Sequence, residues 1–168
     1  MERRVVITGM GIYSCLGKNL EEVKQSLYDG KSGIIFDPAR KEMGFRSALT
    51  SYLDIPDLKG QLSRNQRNYM PEQAKYAYVA TCEALQNANI DADFLEKNEV
   101  GLLYGNDSSA DPVVKSVDTM REKKDTTLVG SGAIFQSMNS TVTMNLGCIF
   151  KLKGINLTVS GACASGSH

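Results

Sequence analysis

The run "TVSGACASGSH", residues 158–168, sets a cysteine among small residues directly after a β-prone stretch. Small neighbours permit a sharp turn and let a substrate approach the backbone, as a nucleophile elbow requires. A helix opening at Cys163 would offer free N–H groups and the positive end of its dipole. Those features stabilise a thiolate and can hold the oxyanion of a tetrahedral intermediate. The same residue types suit a small buried thiol, a common fate of free cysteine. On the local pattern both readings stand. His168 is the only histidine in the chain, so a cysteine–histidine pair has almost no candidate base. Cys15, Cys82 and Cys148 lack a comparable context and read as core thiols.

Two further patterns invite chemistry. "GMGIYS", residues 9–14, follows an apolar run, as a phosphate-binding loop would. However, Ser14 stands where the dinucleotide fingerprint needs its third glycine, and no helix opens on the turn. The segment reads as a tight strand exit, and no cofactor is expected. Basic residues cluster in "KGQLSRNQRNY" (Lys59, Arg64, Arg67) and in "REKK" (Arg121, Lys123, Lys124). Solvated surface explains such charges, and so does a docking patch for an acidic partner. The cysteines form no C-x-x-C pair, and with a single histidine they supply too few ligands for zinc.

These residues need elements to position them. Val5 to Thr8 reads as a buried strand ended by Gly9 and Gly11. Asn19 caps a helix from Leu20 to Tyr28, with Glu21 and Glu22 in its first turn and Gly30 beyond its end. Residues 31–70 read as loop with short elements. Pro71 opens a helix to about Asn89, along which Ala74, Ala77, Tyr78, Cys82 and Leu85 make an apolar stripe. Val100 to Tyr104 is a second buried strand. Helices follow over Pro112 to Lys124 and over Ala133 to Leu146, the latter with Ile134, Met138 and Val142 at helical spacing. Ile155 to Val159 is a third strand. Strands separated by long helical segments imply a layered α/β fold with parallel pairing.

Bulk properties set outer bounds. The 168 residues suffice for one domain, and 42% hydrophobic with 23% charged residues is ordinary globular usage. Lys plus Arg and Asp plus Glu both number 19, which gives no general electrostatic attraction to nucleic acid or an anionic membrane. No apolar run approaches the roughly 18–20 residues that span a bilayer. The basic, apolar start of the chain mimics a signal peptide, but glycines and a serine interrupt it and no cleavage region follows. A cytoplasmic chain with reduced thiols is expected.

The opening "RRVVITGMGIYSCLGKN", then "GKSGI" (30–34), "NEVGLLYG" (98–105) and "IFKLKGINLTVSGACASGSH" (149–168), stand in one order and spacing. Together they resemble the N-terminal half of a β-ketoacyl-[acyl-carrier-protein] synthase of the thiolase-like superfamily, in the manner of the bacterial type I condensing enzyme. The resemblance covers the whole chain. It implies a layered α/β/α thiolase-like fold, of which residues 1–168 form the N-terminal half and the C-terminal half lies outside this chain. It implies that Cys163 accepts the acyl group as a thioester, with its backbone N–H as one oxyanion donor. Malonyl-carrier protein then loses carbon dioxide and condenses with that acyl group.

The same resemblance implies acyl carrier protein as partner, a cytoplasmic homodimer paired through "INLTV", and no cofactor. Arg64 and Lys124, with Arg121 nearby, fall where the family docks its carrier; Asn65 and Thr127 stand where it has further bases. Met138 falls at the acyl pocket. Asp107 occupies a place where the type I enzyme has glycine, a departure that bears on chain length. The family's paired histidines, its lysine and its second oxyanion donor lie outside this chain, and His168 is not one of the pair. Alone, the chain should expose a large apolar surface and complete no condensation. Two other functions fit less well: a non-catalytic ketosynthase partner, which typically lacks the cysteine, and a degradative thiolase acting on coenzyme A thioesters.

Overall fold

Residues 4–167 are described in the computed structural model. They fall into two units, 4–56 with Val79–Ile90, and Asp57–Tyr78 with 91–167.

In the first unit, α1 (Leu20–Tyr28) starts where its cap dictates. The Asn19 carboxamide oxygen accepts from the Glu22 N–H at 2.9 Å, and Gly30 takes φ +64° past the helix end. A short antiparallel pair, β1 (Ile34–Phe36) with β2 (Leu49–Ser51), flanks α2 (Pro38–Glu42). Two helices follow: α3 (Arg64–Tyr69) in the second unit, and α4 (Glu72–Asn87), whose residues from 79 onward belong to the first. The glycines of "GMGIYS" lie against α4. A methyl group on Gly11 would stand 1.9 Å from the Ala80 carbonyl oxygen, and one on Gly9 2.4 Å from that of Ala84. The Met10 N–H donates to the Asn87 carboxamide at 3.1 Å and the Ile12 N–H to the Glu83 carboxylate at 2.9 Å. These glycines serve close packing on a helix, and α4 consumes the N–H groups a phosphate would need.

The expected strand Val5 to Thr8 is not formed. Among the described residues it has no ladder partner, and Val5 and Ile7 are 93% and 85% exposed. Extended, β-branched sequence becomes a strand only when a neighbour satisfies its N–H and C=O groups.

The second unit is built on a parallel pair, β3 (Leu102–Gly105) and β4 (Asn156–Val159), with Leu102 opposite Asn156 and Gly105 opposite Val159. Between them run α6 (Asp111–Lys123), α7 (Ala133–Gln136) and α8 (Thr141–Ile149), and before β3 comes α5 (Ala92–Lys97), which sequence reading did not foresee. Its start was nonetheless encoded: the Asp91 carboxylate accepts from the Phe94 N–H at 2.8 Å, a standard cap. The core comprises Leu58, Met70, Ala74, Val142 and Leu146. Helix α8 packs against both strands, and the Thr143 and Thr158 hydroxyls meet at 2.7 Å. The Asn145 amide donates to Tyr69 O at 3.1 Å and Thr141 O at 2.8 Å, which fixes α8 on the end of α3.

The single helix expected over Ala133 to Leu146 is broken at residues 137–140. The sequence there is Ser-Met-Asn-Ser, and polar side chains that bond nearby backbone compete with the helix ladder. The Ser137 hydroxyl does so, donating to Ile134 O at 2.7 Å. The spare cysteines also depart from expectation. Cys15 and Cys148 are exposed and Cys82 half-buried. Cys15 lies in the 14–17 turn against Gly33, and Cys148 lines an open apolar groove beside Tyr69, Phe135, Met144 and Ile149.

Candidate active site

Parallel strands gather ligands at their carboxyl ends, and there β4 delivers the sequence of interest. After Val159 the chain turns through Ser160, Gly161 and Ala162 into a single 3₁₀ turn, Ala162–Ala164, with Cys163 at its centre. Ala162 holds φ +49°, a left-handed conformation that costs a non-glycine residue about 1–3 kcal/mol and persists only where surroundings enforce it. Ser165, buried, bonds on both sides of Ala162. Its hydroxyl accepts from the Gly161 N–H at 2.9 Å and donates to Ala162 O at 2.7 Å. The Ser165 N–H donates to the same carbonyl at 3.1 Å, and the Ala164 N–H to Gly161 O at 3.0 Å. Cys163 itself is exposed. The helix expected to open at Cys163 would run past the described residues, which show its first turn, with Ser165 still in the αR region. His168 lies outside the described residues.

The end of β3 supports the turn. A methyl group on Gly105 would fall 2.2 Å from Ser165 O, so only glycine admits the turn so close to the strand. Next in the chain, Asn106 ties three segments together. Its N–H donates to Val159 O at 3.0 Å and its amide to Asn139 O at 2.6 Å and, more weakly, to the Ser109 hydroxyl at 3.4 Å. Asn106 thus joins β4 to the loop between α7 and α8, where Met138 stands exposed. Sequence reasoning missed Asn106, although a polar residue directly after a strand-ending glycine is a usable signal. Asp107 follows, exposed, and accepts from the Ser160 hydroxyl. It is neither buried nor unpartnered, so its desolvation is not an obstacle to the loop.

The basic residues stand elsewhere in the same unit. Arg64 is the first residue of α3, whose capping box is complete: Ser63 Oγ accepts from the Gln66 N–H at 3.3 Å, and Gln66 Oε1 from the Ser63 N–H at 2.9 Å. Arg121 lies in the last turn of α6 and Lys124 is its C-cap at φ +53°. Helices α3 and α6 both pack on α7. Arg64, Arg121 and Lys124 are exposed, and among the described residues none has an ion-pair partner. Lys59 and Lys123, by contrast, pair with Asp57 and Glu122.

The profile of the β-ketoacyl synthase N-terminal domain matches residues 2–168. The chain belongs to the β-ketoacyl synthase family. Among curated relatives, 3-oxoacyl-[acyl-carrier-protein] synthase 1 of Haemophilus influenzae is 34% identical over 167 residues, covering 99% of this chain and 41% of the relative. The synthase 1 proteins of Buchnera aphidicola and Escherichia coli K12 are 32% and 33% identical with the same coverage. The chain therefore spans about two-fifths of the length of the curated relatives it matches, at their N-terminal domain. Among solved structures, a β-ketoacyl synthase from Burkholderia phymatum superposes with a TM-score of 0.83 at 28% identity, over 99% of this chain and 41% of that one. The ishigamide ketosynthase/chain length factor shares the fold, with a TM-score of 0.83 at 18% identity over 95% of this chain and 40% of that one. The mixed α/β architecture is that of the thiolase-like ketosynthases.

Proposed function

We propose that Cys163 is the acyl-accepting nucleophile of a β-ketoacyl-acyl-carrier-protein synthase whose N-terminal half is this chain. The observation that carries the reading is the strained, doubly braced turn that presents an exposed cysteine at the carboxyl end of a parallel strand. The Cys163 thiol gives up its proton as its sulfur adds to the thioester carbonyl of an acyl-carrier protein, and the carrier's sulfur leaves and takes up that proton as a thiol. Malonyl-carrier protein then loses carbon dioxide, its carbanion attacks the acyl-Cys163 carbonyl, and the cysteine thiolate departs. One hard step becomes two easier ones. The Cys163 N–H, which has no acceptor among the described residues, serves as one oxyanion donor. The histidines and lysine that handle decarboxylation lie outside these residues. No cofactor is required by this chemistry.

Arg64, Arg121 and Lys124 dock the acidic carrier, as their exposed and unpaired charges suit. Asp107 and Met138, tied to the nucleophile strand through Asn106, line the acyl pocket. β4 is paired on one edge only among the described residues, and we read its open edge as the contact between two copies. We place the enzyme in the cytoplasm; no described helix is long and apolar enough to cross a membrane. The names of the relatives, 3-oxoacyl-[acyl-carrier-protein] synthases, and the family assignment favour condensation over thiolytic degradation. The nucleophile itself favours an active subunit over a non-catalytic partner.

The test is intact mass and peptide mapping of the complete protein after brief exposure to an acyl-carrier thioester. An acyl increment on Cys163, absent from a folded Cys163→Ala variant, is expected. Acylation that survives in the alanine variant would overturn the nucleophile assignment.

A further inference from the structure

We infer that Ser165 is a positioning residue for the nucleophile. Its buried hydroxyl creates the turn that aims Cys163, acting through Gly161 and Ala162 and not on the substrate. This deepens the proposed function and rests on it for the identity of the nucleophile.

Cys163 sits between two small residues, Ala162 and Ala164, that contribute no side-chain hydrogen bond of their own. The preceding residue is an alanine in the left-handed region at φ +49°, where glycine would be unstrained. Something must therefore hold Ala162 there. Ser165 uses its hydroxyl as acceptor and donor at once, taking the Gly161 N–H at 2.9 Å and giving its proton to Ala162 O at 2.7 Å. Both partners lie on the near side of the nucleophile and Ser165 lies beyond it, so these bonds close a small ring around Cys163. Ser165 is 8% exposed although Cys163 and Ala164 beside it are exposed. Its polar atom is thus withdrawn from solvent and satisfied by the turn alone, an arrangement that rewards geometry and not solubility. Ser160, on the other side, is exposed and bonds outward to Asp107, so it braces the loop without entering the ring.

The complete protein is compared with its Ser165→Ala variant for acylation of Cys163 from acyl-carrier thioester. Alkylation of Cys163 by iodoacetamide and amide exchange of Gly161 are followed in parallel. Ser165→Ala is expected to lower the acylation rate by roughly a hundredfold, the cost of misplacing a reacting group by about 1 Å. The Gly161 amide, protected in the parent, should exchange freely. Adding Ala162→Gly to that variant should restore part of the rate, because glycine takes the left-handed conformation unaided. A Ser165→Ala protein that acylates at the parent rate overturns the inference, and so does a double variant that recovers nothing. If Ser165→Ala does not fold, the double variant decides alone: folded and acylating, it supports the role; otherwise it rejects it. Failure of the parent itself to acylate would instead reject the proposed function. Gly161 protection and the alkylation rate would then still decide the part played by Ser165.

Discussion

At Gly105 a single methyl group separates a working turn from a displaced one. The atom it would meet, Ser165 O at 2.2 Å, is backbone and cannot swing aside as a flexible side chain would. Gly105→Ala is therefore expected to cost about 1–3 kcal/mol, as overpacking of a close contact does. It should also remove Cys163 acylation from the complete protein while most of the fold survives. Thermal unfolding and the mass assay check both parts; a folded variant that acylates normally would contradict the geometry. Asp107 makes a different kind of contribution. Its carboxylate is braced by Ser160 and exposed, so it stabilises little, yet it puts an anion beside the path proposed for an apolar chain. Asp107→Gly should raise kcat/KM for long saturated acyl groups relative to short ones. About 1.4 kcal/mol of relieved desolvation corresponds to a tenfold change in that ratio. A competition assay over chain length measures it, and an equal change at every length would reject a pocket role. Residue types brought Cys163 forward as a candidate and the family resemblance brought Asp107, but neither pointed to Ser165 or Asn106. The difference is physical: nucleophilicity and charge are properties of a side chain, whereas bracing depends on which carbonyls the fold brings within reach.

Among the elements, those whose ends carry side-chain instructions were legible in advance. Asn19 set the start of α1, and Pro71 marked the start of α4 to within a residue. The paired strands around Leu102 and Leu157 followed from short β-branched or leucine-rich runs closed by glycine or small residues. Reading failed where local bonds overrode periodicity, at Ser137 to Ser140, and where an element depends on a neighbour, at Val5 to Thr8. The nucleophile turn was half legible. Small residues announced a bend, but no spacing rule names the hydroxyl that braces it, that of Ser165. The parallel pair β3–β4 also carries a pH signature. Burial pushes the Tyr104 phenol above its ordinary value, because ionisation in a poorly solvated site is disfavoured. The neutral phenol thus contributes stability fully below the ordinary phenol range near 10. That contribution fades as pH rises through the higher folded value. Alkaline unfolding should accordingly begin at lower pH in the parent than in Tyr104→Phe, which lacks the ionisable group. Matching alkaline limbs in the two proteins would show that β3 opens without sensing Tyr104.

Over the whole molecule, charge and apolar surface divide the labour of association. Apolar side chains stand uncovered in each unit: Val5 and Ile7 in the first, Leu103, Ile155 and Leu157 in the second. Contiguous apolar surface of this kind suits contact with another protein surface, and Leu157 belongs to β4, whose open edge is the proposed contact between two copies. The proposed recruitment of the carrier rests on other residues. With 19 basic and 19 acidic residues the chain has no net charge, so attraction to an acidic partner must come from exposed basic residues without an ion pair of their own among the described residues. Arg64, Arg121 and Lys124 meet that condition, whereas Lys59 and Lys123 are already paired. Attraction between exposed charges steers encounter and decays over a Debye length of about 8 Å at physiological salt. Reversing Arg64 and Lys124 to glutamate in the complete enzyme should therefore raise KM for carrier-bound acyl groups, roughly tenfold at low salt, by slowing encounter. Small soluble thioesters, which present no acidic surface, should be used at the parent KM. Added salt should weaken the parent's use of carrier substrate and leave the double variant nearly unchanged, so that the two converge. Equal losses on both substrate types would place these residues in folding or chemistry, and a salt response retained by the variant would move the docking surface away from α3 and α6.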